Sequence, residues 1–212
     1  GTYEKVATLD IARRVQRILT EETDAVALMT RQDDRFVGLR ERTRVANKWG
    51  ADVFLSIHLN ADPYGVGQGV ETWFLSPDSA DAEARNLVEA EEAAYGEHDH
   101  EDKVHHDLID SIIQDATHRA AQVASEALAG TIVKQLHAQT NAPFRGVKQA
   151  PFGVLKEATM PAIVVECGFF SHREEGLSLV DPAYAERIAR GIVDGLLEYD
   201  RQIGGRRTAM AP

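Results

Sequence analysis

The sequence holds a single cysteine, Cys167, which excludes an internal disulfide. It leaves the compartment open, because oxidising compartments hold cysteine-poor proteins too. No apolar run approaches the ~18 residues that span a membrane. No signal-peptide pattern opens the sequence, which leaves a cytosolic protein or a mature or trimmed one. Positive charge is also scarce. Lys and Arg number 23 against 34 Asp and Glu, a net charge of −11. Phosphate backbones need clustered cations, so nucleic acid is excluded as the main partner.

What is present fits an ordinary globular domain. The chain has 212 residues, 43% hydrophobic and 27% charged. That length indicates one domain with an insertion and a sizeable core. Residues 4–22 place Val6, Leu9, Ile11, Ala12, Val15, Ile18 and Leu19 on one face of a helix. AVALMT at 25–30 reads as a short buried strand. Residues 39–50 read as a second amphipathic helix closed by Gly50. DVFLSIH (52–58) and VETWFL (70–75) read as buried strands, joined by a turn-rich linker. An acidic, Ala-rich helix is expected from about 79. A charged, His-rich stretch at 96–106 follows. Leu108, Ile109, Ile112 and Ile113 form a stripe that packs over a cleft, meets a partner or simply fills the core. A long helix then runs to about 137, with Ala120, Val123, Ala124, Ala127, Leu128, Ile132 and Leu136 on one side. Residues 138–151 read as a loop, FGVLKEA (152–158) as a short strand and AIVVECG (162–168) as the last strong strand. A closing helix spans 182–203, with Pro182 suited to its first turn, and the tail reads as flexible. Strands alternating with helices predict an α/β fold: a mixed, largely parallel twisted sheet with helices on both faces, plus an inserted helical segment.

Two residues stand out chemically. His58, in SIHLNAD, and Glu166, in IVVECG, both fall near the carboxyl ends of predicted strands, where open α/β sheets gather their sites. A buried carboxylate is costly unless something pairs with it or uses it. The two side chains either converge on one crevice or are separately satisfied by the loop and a nearby Arg. Glu4 alone reads as a favourable charge at a helix N-terminus. Cys167 reads as a small buried hydrophobe, since no His partner marks it as a nucleophile.

Longer motifs narrow the choice. GTYEK (1–5), LMTRQDD (28–34), LRERTRVAN (39–47), ADVFLSIHLNAD (51–62), GVETWFL (69–75) and RGVKQAPFGVLKEATMPAIVVECGFFSH (145–172) occur in that order. With them the chain resembles the zinc-dependent N-acetylmuramoyl-L-alanine amidases, within them the cell-division amidases of diderm bacteria. The resemblance covers nearly everything outside 79–140. It implies that Glu4 and His58 bind Zn²⁺, that Glu166 is the catalytic acid/base, and that a third ligand, a histidine on an opening strand, lies upstream of Gly1. His172 stands where the family more often has Asn and is not expected to be a ligand. The bond cut would join the lactyl group of N-acetylmuramic acid to L-alanine of the stem peptide. The implied location is the periplasm or cell wall, and the implied state a monomer acting on peptidoglycan.

The interval between His58 and Glu166 is longer than simple members of that family need, and the extra length lies at 79–140. By the same resemblance, a segment within 87–118 covers the cleft, a glutamate from it caps the metal, and an activator protein displaces it. Glu89, Glu91, Glu92, Glu97 and Glu101 are the candidate caps. His98, His100, His105 and His106 read as part of a solvated charged loop rather than a second metal site. Arg145 and Lys148 are candidate contacts for stem-peptide carboxylates, because Arg favours bidentate carboxylate recognition; the alternative is pairing with the protein's own acids. A second reading of the whole chain is a catalytically silent cell-wall-binding or regulatory module. A third is another zinc hydrolase on a similar frame.

Overall fold

The computed structural model describes residues 3–76, 82–95 and 108–209; of residues 83, 94–95, 108–118 and 205–209 it describes the backbone alone. In chain order the helices are α1 (Glu4–Glu22), α2 (Leu39–Trp49), α3 (Ala82–Tyr95), α4 (Leu108–Thr140), α5 (Arg173–Leu179) and α6 (Pro182–Ala209). The strands are β1 (Phe54–Asn60), β2 (Val70–Leu75), β3 (Phe144–Ala150) and β4 (Ala162–Phe169). They form one sheet in the order β1-β4-β2-β3. β1 pairs with β4 and β2 with β3 in parallel, whereas β2 and β4 run antiparallel. The expected mixed, largely parallel sheet with helices on both faces is therefore present.

Alternation along the strands separates two cores. On one face Val165, Cys167, Leu59 and Phe74 pack with Ile11 and Ile18 of α1, Leu128, Ile132 and Leu136 of α4, and Ile188 and Ile192 of α6. Each fully buried Ile or Leu there contributes about 1.5–3 kcal/mol. On the other face Phe54, Trp73, Ala162 and Val164 meet Leu39 and Ala46 of α2, Ala84 and Val88 of α3, and Phe152, Val154 and Leu155. Gly50 ends α2 at φ 64°, a left-handed cap that suits glycine.

Several local expectations are corrected. Residues 25–30 are not a strand; Val26 and Leu28 are exposed. Among the described residues the segment has no ladder neighbour, so its extended backbone is not paired as a strand. The expected loop at 138–151 contains β3, whose Gly146 (φ 85°) hid its strand pattern. FGVLKEA holds a single 3₁₀ turn, Gly153–Leu155, because Val154 and Leu155 anchor it into the second core. α5 was not expected. The closing helix runs on to Ala209 instead of ending at a flexible tail, since nothing after Ile203 forbids helical dihedrals. Val6 and Val123 point to solvent, off the buried stripes of α1 and α4. The 96–106 stretch lies outside the described residues, as do the side chains of the Leu108–Ile113 stripe.

Candidate active site

The sheet lays three polar side chains in one row. His58 of β1 sits opposite Glu166 of β4, and Glu166 sits opposite Glu71 of β2. All three are buried, on the face that packs against α2 and α3. His58 and Glu166 lie inside their strands rather than at the ends, so neighbouring backbone shields both.

Glu166 is 0% exposed, and neither carboxylate oxygen has a hydrogen-bond partner among the described residues. Burial pushes its pKa well above the usual carboxylate range; the charge of His58 opposes this, and Glu91, Glu4 and Glu71 reinforce it. A carboxyl held above its ordinary pKa is a better proton acceptor than a free carboxylate.

His58 is held from one side and aimed from the other. Its Nε2 lies 2.9 Å from Ser56 Oγ, which can accept that nitrogen's proton and leave Nδ1 to face the carboxylates. Nδ1 lies 3.1 Å from Glu91 Oε1 and 3.4 Å from Glu4 Oε1, yet makes no aligned hydrogen bond. Burial alone would lower the imidazole's pKa. The charge of Glu91, with Glu4 beside it, outweighs burial and raises it well above normal. Glu4 opens α1, and its Oε1 also accepts the Leu59 N–H at 3.2 Å. Burial would raise its pKa, but His58 and that N–H together bring it below normal.

One ligand atom each from Glu4, His58 and Glu91 lies within 4.8 Å of the others. An N/O/O set suits Zn²⁺, and its bonds of about 2.0–2.1 Å put tetrahedral ligands roughly 3.3 Å apart. The orphaned Nδ1 is the atom such an ion would take up, so the residues present fit a divalent metal.

Glu91 is thus the insert carboxylate that reaches His58. Glu89 is exposed, Glu92 lies 3.5 Å from Lys156 Nζ, and Glu97 and Glu101 lie outside the described residues. The sequence held only part of the signal for Glu91, since what the helix faces is set by its docking. Ala84, Leu87, Val88 and Glu91 share one helical stripe, and Ala84 and Val88 are buried against the sheet.

Glu71 went unnoticed, because VETWFL reads as an apolar strand. It is 0% exposed and takes four donors: Asn60 Nδ2 (2.9 Å), Trp73 Nε1 (3.2 Å), Arg145 Nε (2.7 Å) and Lys148 Nζ (2.8 Å). Arg145 and Lys148 are thus brought together, and the acid they share is buried rather than superficial. Cys167 is fully buried, its thiol pKa pushed well up by desolvation, in keeping with an inert core residue. His172 Nδ1 accepts the Glu175 N–H at 3.2 Å as the cap of α5.

The Amidase_3 family, described as N-acetylmuramoyl-L-alanine amidase, matches residues 1–198. The chain belongs to this family. The sporulation-specific N-acetylmuramoyl-L-alanine amidase of Bacillus subtilis is 32% identical over 197 residues, 92% of this chain and 59% of that protein. AmiA of Escherichia coli is 32% identical over 202 residues, 94% of this chain and 69% of that protein. The crystal structure of the Clostridium difficile 630 amidase superposes with a TM-score of 0.70 at 28% identity, covering 93% of this chain and 84% of that one. The likeness read from the motifs, to cell-wall amidases of the cell-division type, therefore holds. The chain spans about three-fifths to seven-tenths of the length of the two curated relatives above.

Proposed function

We propose that this domain is a zinc-dependent amidase that cleaves the bond between N-acetylmuramic acid and L-alanine of the stem peptide in peptidoglycan, and that α3 holds it inactive until an activator protein moves it. The observation that carries this reading is the meeting of Glu4, His58 and Glu91 beside the unpaired carboxylate of Glu166.

Zinc there would lower the pKa of a water and polarise the scissile carbonyl. Glu4 and His58 would hold the metal, and Ser56 fixes the imidazole. Glu166 accepts the attacking water's proton and hands it to the leaving nitrogen of alanine. Arg145 and Lys148 meet a carboxylate of the stem peptide. Glu91 takes a position that water and substrate need, so activity requires α3 to leave. The inhibitory segment lies within the 79–140 insert, between 87 and 118. By family resemblance a third ligand is a histidine on a strand preceding α1. The protein would act outside the cytoplasm, in the periplasm or cell wall, where its substrate is. No described helix is long and apolar enough to cross a membrane.

The test is peptide release from purified peptidoglycan by the full-length protein with zinc, with the released peptide's alanine N-terminus identified. Glu166→Gln should lower the rate by about 10²–10⁴-fold. Glu91→Ala should raise basal release at least tenfold. Unchanged release by the first variant would sink the mechanism, and by the second, the autoinhibition.

A further inference from the structure

A β-bulge sets up a second feature of the same face. The β2–β3 register shifts between Val70 and Glu71, so that Glu71 pairs with Gly146 and Trp73 with Lys148. Lys148 therefore shares the face of Glu71 by ordinary alternation. Arg145, one residue before Gly146, would point away in a regular strand. The extra residue and the left-handed Gly146 turn it back, and its Nε reaches Glu71. Both cations meet the same oxygen, Oε2, while Asn60 and Trp73 hold Oε1. Each cation also lies on a ring: the Arg145 guanidinium 4.9 Å from the Phe169 centroid, Lys148 Nζ 4.9 Å from that of Trp73. The two side chains keep 28% and 21% exposure, so solvent reaches both, while Glu71 has none.

We propose that Glu71 is a positioning residue: it locks Arg145 and Lys148 side by side next to Glu166 as a rigid two-cation receptor for a carboxylate of the substrate. A carboxylate that contacts no substrate itself thereby sets substrate preference. Fixing two long cationic side chains before binding removes the ordering entropy that a flexible pair would lose on capture. The identity of the substrate, though not the geometry of the receptor, rests on the amidase reading above.

The test uses two soluble muramyl-peptide substrates that differ only in whether the peptide carboxylates are free or amidated. The wild-type full-length protein should favour the free form by tenfold or more in kcat/KM, chiefly through KM. Glu71→Gln should reduce that preference to threefold or less, chiefly by raising KM for the free form. Glu71→Asp, which keeps the charge, should restore part of it. Calorimetric binding of the free stem peptide, weakened tenfold or more by Glu71→Gln, reads the receptor without catalysis. Failure of the amidase reading, with no cleavage of either substrate, is thus told apart from failure of the receptor. If Glu71→Gln does not fold, Arg145→Gln and Lys148→Gln must each lose the preference. An unchanged preference in a folded Glu71→Gln protein, in both single-cation variants, or equal use of the two substrates by the wild type, overturns the proposal.

Discussion

Glu166 and Glu71 are cross-strand neighbours in opposite circumstances. Glu71 takes four hydrogen bonds, two from cations, whereas Glu166 takes none. Surroundings this different suit Glu166 to the proposed proton transfer and Glu71 to the part of a fixed anchor. The same contrast governs stability. Glu166→Gln removes an uncompensated buried acid and should raise the stability of the metal-free protein by about 1–2 kcal/mol while lowering activity by about 10²–10⁴-fold. Glu71→Gln removes the charge that both cations meet and should cost about 2–3 kcal/mol. Thermal melts of the two variants should therefore move in opposite directions; shifts of the same sign would mean the two acids are not so divided.

Among the helices, the tightest fit is between α4 and α6. A Cβ added at Gly195 would lie 2.5 Å from Ile132 Cα, and one at Gly191 would lie 2.9 Å from Leu136 Cα. Backbone rather than side chain blocks the space, so neither clash relaxes without moving a helix. Gly195→Ala should destabilise by about 1–3 kcal/mol. Gly130, in α4 with nothing within 4 Å of its added Cβ, is the control. Gly130→Ala should gain about 0.5–1 kcal/mol from helix propensity. Denaturant titration separates the two, and equal effects would show that close approach is not what Gly195 supplies. α3 shows how an element serves two ends, because the stripe that buries Ala84 and Val88 also delivers Glu91 to His58.

In the whole molecule, the candidate metal site ties α1, β1 and α3 together. A metal bound only by the folded state stabilises it by about 2.7 kcal/mol at a hundred times its Kd. For a domain of this size that raises Tm by roughly 5–10 °C. Zinc should therefore raise the melting temperature and a chelator reverse it, with the shift lost in His58→Ala. A zinc shift that survives this substitution would place the metal elsewhere.

Local chemistry was enough to read the helix faces of α1 and α2, the strand cores of β1, β2 and β4, and the ordered motifs carrying Glu4, His58 and Glu166. Helical and extended periodicities are properties of neighbours in sequence. Assembly decided the rest. Whether residues 25–30 become a strand depends on a ladder neighbour, and β3 escapes notice because a bulge breaks its alternation. The choice of Glu91 among five acids, and the convergence of Arg145 and Lys148 on Glu71, needed the strand register and the docking of α3. Those contacts join residues far apart in the chain, and the burial that sets the anchored Glu71 apart from Glu166 exists only once the sheet and helices have closed around both.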